Sequence, residues 1–549
     1  MAKNNRKNNS LDNKARNEEK KTENPLNGFM NQKVDRRKAL STMGKAAAGV
    51  AAVVVVAAVG VAAYEATKSP ATVTATQTNT FSTTNVVTSS VTATSSTLSP
   101  QEKAQSLATA KPGENFIIGF DTFFLSLEAS TIMAKSITQA CNALGLTASV
   151  KDAGLSVTAP IDNARTLISQ GAKGIIGFGG NPASYYEVAN ICQQNKVFFF
   201  SLWDMEPFSQ PWNTGDYFVA WAYQDGETDL YTSTTLLMEK LKQNNKPTGP
   251  IINLQGDSSF SNCIKNYGIV DAWSNYQDET FVGHQYTNWD ASQATSDMAT
   301  QLSQTPAPVG ITAVNDTLTA GAIAASKAAN DDLGPYAVGP DGSQSAMTLA
   351  AANDFLAIGA SNDSFTGGLA TCMLYDVITG AYYPTTQERL VCTNDFLIAA
   401  DVNEVKSLAS SAGLNLPSNY PIVSASDYLS EIYTAATYPY DWTVVSKGKA
   451  QELGKTYDPS GGVTLDSYKM GGFHSWFDVM GTGSPAGSET GDYEWSVYLE
   501  DCINRFSNLN ANSYADLSKA PFAAGSTSPG IHTWNWYLGQ PATTPLSLS

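Results

Sequence analysis

Gly310-Ile311-Thr312-Ala313-Val314-Asn315-Asp316 is an apolar run that ends on two polar residues. After one helix-like segment the arrangement returns as Ala337-Val338-Gly339-Pro340-Asp341-Gly342. Trp289-Asp290 precedes these two and Asn362-Asp363 follows them, so four polar pairs recur about 25 residues apart. One strand and one helix per step produce such a spacing, and the order of strand, polar pair and helix predicts a parallel sheet. In an open parallel sheet the loops after the strands gather at one edge. The four pairs are therefore expected beside one crevice, where a small ligand can sit.

The same alternation fills the preceding sequence. Strand-like runs at Phe116–Phe120, Thr147–Val150, Ile175–Phe178 and Val197–Leu202 are separated by helix-period segments at Ser130–Leu144, Ile161–Gln170 and Tyr185–Gln194. A second set starts at Ile251–Leu254 and ends with Phe355–Ala360, and Tyr217–Tyr223 with a long helix ending near Lys242 lies between the sets. Two α/β sets joined by a crossing predict two lobes.

Charge divides the chain unevenly. Residues 1–68 hold 13 Lys/Arg against 6 Asp/Glu, and the remainder holds 20 against 44. The acidic body repels phosphate backbones, so nucleic-acid binding is excluded. Arg36-Arg37-Lys38 is followed by Ala46–Tyr64, 19 residues without a charge, the length of a membrane-crossing helix. The basic residues before it put the N-terminus in the cytoplasm and the body outside. A cell-membrane protein with a single-pass anchor at residues 46–64 and an extracellular globular part is expected. The pair Arg36-Arg37 also fits a twin-arginine export signal. Residue 39 onward, Ala39-Leu40-Ser41 and then the apolar run, resembles the pilin-like signal peptides of archaeal surface proteins, which would leave the helix as an anchor. Ser69–Pro100 has no charged residue and is more than half Ser and Thr, the composition of an extended tether and not of a core. Low charge density throughout suits an acidic exterior. Six cysteines are too few for a disulfide scaffold. Cys372 and Cys392 are the nearest candidates for a pair, and buried free thiols are the equal alternative.

Ile117-Ile118-Gly119-Phe120, Leu167–Ile176, the run ending at Trp203-Asp204, Leu254-Gln255-Gly256, Asn288-Trp289-Asp290, Val314-Asn315-Asp316 and Val338–Gly342 occur in this order over nearly 300 residues. In that order residues 115 to about 405 resemble the type I (ribose/galactose/arabinose-like) periplasmic sugar-binding proteins of ABC transporters. The resemblance implies an α/β fold of two similar Rossmann-like lobes with parallel sheets, joined by a three-segment hinge that closes on the ligand. Crossings are then expected near Tyr217–Asp225, Ile358–Asn362 and Val391–Ala399. The implied organisation is a basic leader at 1–38, an anchor at 39–66, a linker at 67–112, lobe 1 from 113–222 with 361–390, lobe 2 from 223–360 with 391–409, and an aromatic-rich extension at 410–549.

A sugar offers hydroxyls in the ring plane and apolar faces above and below, which call for paired polar groups and aromatic walls. By the resemblance Trp289 is the stacking aromatic, Asn315 and Asp341 bind hydroxyls, and Ser361 or Asn362 occupies the polar hinge position. For Asn315 and Asp341, helix capping is the competing role. In the first lobe the candidates are Asp121, Phe123 and Phe124 in the first loop, where Ser126–Glu128 fits equally well, Asn181 after the Ile175 strand, and Trp203 with Asp204; Trp221 adds a third tryptophan. The body has only three arginines, Arg165, Arg389 and Arg505, none at a sugar-clamping position. Lys265 is the nearest cationic substitute, with a solvated helix-face lysine as the alternative. Little cation density suits a neutral ligand.

Enzyme signatures are absent from the sequence: His284, His474 and His532 stand alone, and there is no HExxH, GxSxG or GxxxxGK[ST]. Asp204, Asp290 and Asp341 keep open only a two-carboxylate glycosidase. No metal, cofactor or catalytic residue is expected. The expected function is capture of a neutral monosaccharide, pentose or hexose, and its delivery to an ABC permease with its ATPase. A nucleoside or other small-solute receptor of the same fold is the alternative, as is a surface carbohydrate-adhesion protein built on the tryptophans and tyrosines of residues 410–549.

Overall fold

The computed structural model describes residues 98–475, apart from 180–181, 204–210, 223–225, 246–248, 257–259, 275, 277–279, 305–306, 386, 394–395, 415–421, 434–435 and 466–467. The membrane-span expectation at 46–64 and most of the aromatic extension, with Trp476, Trp495, Trp534 and Trp536, lie outside these residues. Among the described residues no helix is long and apolar enough to cross a membrane.

Two seven-stranded sheets organise the chain. The first contains β1 (Ile117–Thr122), β2 (Thr147–Asp152), β3 (Ala172–Phe178), β4 (Phe198–Leu202) and β5 (Phe218–Ala222), in the order β5-β4-β3-β1-β2 and all parallel. The second contains β6 (Pro250–Gln255), β7 (Thr280–Tyr286), β8 (Gly310–Ala313), β9 (Ala337–Asp341) and β10 (Ala357–Ala360), in the order β10-β9-β8-β6-β7, again parallel. Every residue of β4, β5 and β6 is buried. Strands buried along their whole length are what a parallel sheet covered by helices on both faces requires.

The chain passes between the sheets three times in the two-lobed region. It leaves β5 for the helix Gly226–Gln243, which packs on β9 and β10. It returns from β10 into the helix Asp363–Ile378, which packs on Glu128–Leu144 of the first lobe. It then runs through β11 (Leu390–Thr393), parallel to β5, and into β12 (Phe396–Ala399), antiparallel to β10. Residues 391–393 therefore lie in the first sheet, and not in the second lobe to which the sequence reading gave them. The reason is that β11 completes its pairing with Trp221 and Ala222 before the chain crosses.

Residues 410–475 are built into both lobes. β13 (Ile422–Ser424) extends the second sheet beside β12, and β16 (Phe473–Ser475) adds to the first, antiparallel to β11, after the small hairpin β14 (Thr464–Leu465) and β15 (Tyr468–Lys469). The segment between them makes a fourth passage from lobe to lobe. Aromatic rings form its spine: Phe396 to Tyr428 at 5.4 Å, Tyr428 to Tyr433 at 5.9 Å, Tyr433 to Tyr438 at 5.9 Å, and Tyr440 to Trp442 at 5.2 Å. Asp376 fastens the far end, accepting the backbone N–H groups of Lys447 at 2.9 Å and Gly448 at 2.8 Å at the start of the helix Lys447–Leu453. Cys372 and Cys392, like Cys141 and Cys192, are buried thiols outside any disulfide, the second of the two readings the sequence allowed.

Candidate functional site: a buried polar cluster at the second sheet

All four polar pairs stand where strands of the second lobe end and helices begin. Asp290 caps the helix Ala291–Leu302 through the N–H groups of Ser292 and Gln293. Asn315 caps Asp316–Ala328, accepting the N–H of Thr317 at 2.8 Å. Its capping role and its site role coexist, because Oδ1 faces the helix while Nδ2 donates to Asp341 Oδ2. The other carboxylate oxygen of Asp341 receives Lys265 Nζ at 2.6 Å. Lys265 is 4% and Asp341 7% exposed, so the lysine is not the solvated helix-face residue that its position on Phe260–Ser274 allowed. Two opposite charges this deeply buried are held by their pairing and by the Asn315 amide, and removal of one would strand the other.

Trp289 closes this cluster on one side. Asn288 and Trp289 have φ of 51° and 63°, a left-handed turn that folds the loop back onto β6, where Asn288 N–H donates to the Gly256 carbonyl at 2.9 Å. The indole then lies against Gly256 so closely that a Cβ there would come within 2.2 Å of its Cε2. Lys265 Nζ is 5.8 Å from the ring centroid. Trp289 stays half-buried, the state of a ring with surface left to offer.

The cluster continues into the hinge. Ser361 Oγ is hydrogen-bonded to the Asp341 carbonyl at 3.2 Å and to Asp363 Oδ1 at 3.1 Å. Asn362 turns elsewhere: its Nδ2 donates to the Met470 carbonyl and its Oδ1 accepts from Tyr440 at 3.1 Å and Ser364 at 3.1 Å. Burial, with the Asp341 charge second, pushes the Asp363 carboxyl well above the usual range, and the same two causes act on Asp316. With Lys265 and Asp341 cancelling each other and their two carboxyl neighbours favouring the neutral form, the cluster carries little net charge.

First-lobe candidates gather at the ends of β1, β3 and β4. Asp121 is fully buried and accepts from Asn163 Nδ2 at 2.7 Å and from the Tyr185 hydroxyl at 3.2 Å. Burial raises its carboxyl to about 6. Phe123 and Phe124 are half-buried in the following loop, and the Phe123 Cβ stands beside Gly179. Trp203 packs edge-on against Phe178 at 6.2 Å and takes the Trp221 indole N–H on its carbonyl at 2.8 Å. Trp221 is fully buried within β5 and ties that strand to the Trp203 loop. Asn181 and Asp204 lie outside the described residues.

The two arginines among the described residues serve the scaffold. Arg389 is buried and donates to the carbonyls of Val219 at 3.0 Å and Pro211 at 2.9 Å, while Arg165 pairs with Asp162 at the surface. Glu128, in the Ser126–Glu128 stretch that fitted the first loop as well as Phe123 and Phe124, accepts from Ser345 Oγ at 2.7 Å and Ser345 N–H at 3.2 Å, joining the two lobes. A pocket lined by Met373, Tyr382, Glu388, Lys447 and Tyr457 contains none of the cluster residues, and its Lys447 and Glu388 pair with each other at 3.1 Å.

Solved structures of known proteins are similar to part of the chain. A twin-arginine translocation pathway signal protein from Burkholderia phytofirmans is 17% identical, with a TM-score of 0.49 over 56% of this chain and 99% of its own. A Mycobacterium smegmatis protein in complex with β-D-fucofuranose is 19% identical, with a TM-score of 0.47 over 54% and 98%. A Caulobacter myo-inositol binding protein is also 19% identical, with a TM-score of 0.45 over 55% and 99%. No curated protein matches the sequence. The family model of the periplasmic binding protein domain matches residues 119–381, the span that holds both sheets' parallel cores and the Lys265–Asp341–Asn315 cluster. Over that span, just under half of the chain, the sequence is similar to the periplasmic binding protein domain.

Proposed function

We propose that the chain is a membrane-tethered extracellular receptor that captures a neutral monosaccharide between its lobes and hands it to an ABC permease driven by a separate ATPase. The observation that carries the ligand class is the Lys265–Asp341–Asn315 cluster beside the half-buried Trp289. It presents bidentate polar groups next to an aromatic face, the two surfaces a sugar ring needs, with little net charge to attract an anion. The tether rests on the uncharged run at 46–64 and the Ser/Thr-rich stretch after it. Delivery to a permease rests on the resemblance to transporter receptors.

Thermal shift of the purified protein against pentoses, hexoses and nucleosides tests the ligand class. Stabilisation by a neutral pentose or hexose is the expected outcome. Stabilisation by nucleosides alone, or no response to any small molecule together with binding to polysaccharide, overturns it.

A further inference from the structure

Asp341 holds its carboxylate toward Lys265 and Asn315 from a backbone that a residue with a side chain adopts only under strain. Its φ is 96°, and Gly342 follows at 90°. Such a turn persists where its surroundings fix it. On one side Asp316 Oδ2 accepts the N–H of Gly342 at 2.9 Å and of Ser343 at 2.6 Å. On another the Tyr433 hydroxyl donates to the Gly342 carbonyl at 3.0 Å. Asp316 is fully buried and Tyr433 is 9% exposed, so water is a poor substitute for either. Neither residue bonds the Asp341 carboxylate in the described contacts. Each acts on the backbone that aims it.

Tyr433 belongs to the C-terminal region, and its ring stands 5.9 Å from Tyr428 and, edge-on, 5.9 Å from Tyr438. Tyr438 in turn reaches the first lobe, its N–H donating to Gln139 Oε1 at 2.9 Å and its ring lying 4.1 Å from Lys135 Nζ. A segment beyond the family-matched span thus grips the site-bearing turn of one lobe and a helix of the other.

We propose that Asp316 and Tyr433 are positioning residues that hold the Asp341–Ser343 turn, and that through Tyr433 the C-terminal region sets the affinity of the ligand site. The proposal rests on the reading that Asp341 contacts the ligand. Tyr433→Phe deletes one donor and keeps the ring packing. Asp316→Ala deletes the acceptor, and Asp316→Asn restores an oxygen to it.

Hydrogen exchange of the full chain without ligand, followed in peptides covering 338–347, reads the turn. Calorimetric affinity for the best-bound of D-ribose, L-arabinose, D-galactose and D-glucose reads the site. Tyr433→Phe and Asp316→Ala are expected to speed exchange in the turn and to weaken binding roughly three- to tenfold, with Asp316→Asn close to the original protein. Unchanged exchange in Tyr433→Phe overturns the positioning role, even if Asp316→Ala fails to fold. Faster exchange with unchanged affinity overturns the link between turn and site. If the original protein binds none of the four sugars, the sugar reading fails by itself, and the exchange result still decides whether the turn is held.

Discussion

Asn315 uses its two amide atoms for two tasks, capping a helix with the oxygen and binding Asp341 with the nitrogen. From sequence the cap and the site looked like rivals, because a strand-end Asn before a helix is expected in either case. For Lys265 the sequence left two readings open, a cation in the site or a solvated helix-face lysine. Its stretch gives no sign of burial, and only the fold brings it to Asp341, 76 positions away. The aromatic side of the cluster yields two predictions. Trp289→Ala should weaken sugar binding by at least about 1 kcal/mol through lost stacking and burial, as read by calorimetry; unchanged affinity would remove Trp289 from the site. Gly256→Ala places a methyl where the indole lies and should displace it, weakening binding while every ligand-facing side chain remains. Equal affinity in that variant would show that the ring's position is not set by Gly256.

At the scale of elements, the parallel strands and their helices were legible because each follows a local period. The strand ends followed from turn residues and alternation, and the three crossings from the family resemblance. The packing of residues 410–475 was not, since β13 pairs with β12, β16 pairs with β11, and the rings between them find partners far away in sequence. An excess of Trp and Tyr announces that burial is needed, without naming the surface. Gly368 shows how specific that surface is: a Cβ there would lie 2.3 Å from Trp442 Cη2. In a free helix Gly→Ala stabilises by about 1 kcal/mol. Here overpacking costs about 1–3 kcal/mol, so Gly368→Ala should lower stability on balance. Denaturant unfolding checks the sign, and a rise in stability would mean that Trp442 yields easily.

For the whole molecule, the buried carboxyls set a pH dependence. Burial raises Asp121 and Asp376 to about 6, and raises Asp316 and Asp363 as well. A carboxyl raised on folding favours the folded state while it is protonated. That contribution is full below about pH 4, the ordinary carboxylate range, and is lost as pH rises through about 6. Glu388 and Asp441 shift the opposite way, but they are partly exposed and pair with lysines, so they weigh less. The melting temperature should therefore be higher at pH 5 than at pH 7.5, and calorimetric scans showing the reverse would contradict the assignment of those buried carboxyls. The low charge density of the sequence points in the same direction.

The two lobes, their crossings and the fourth passage matter to function only if a ligand enters the cluster at the second sheet. The most direct measurement is a calorimetric titration of neutral pentoses and hexoses into the protein and into Asp341→Ala. Saturable one-to-one binding of at least one such sugar, abolished in Asp341→Ala, is the predicted result. Sugar binding of equal affinity in Asp341→Ala, or no binding of any neutral sugar by the original protein, would contradict the account.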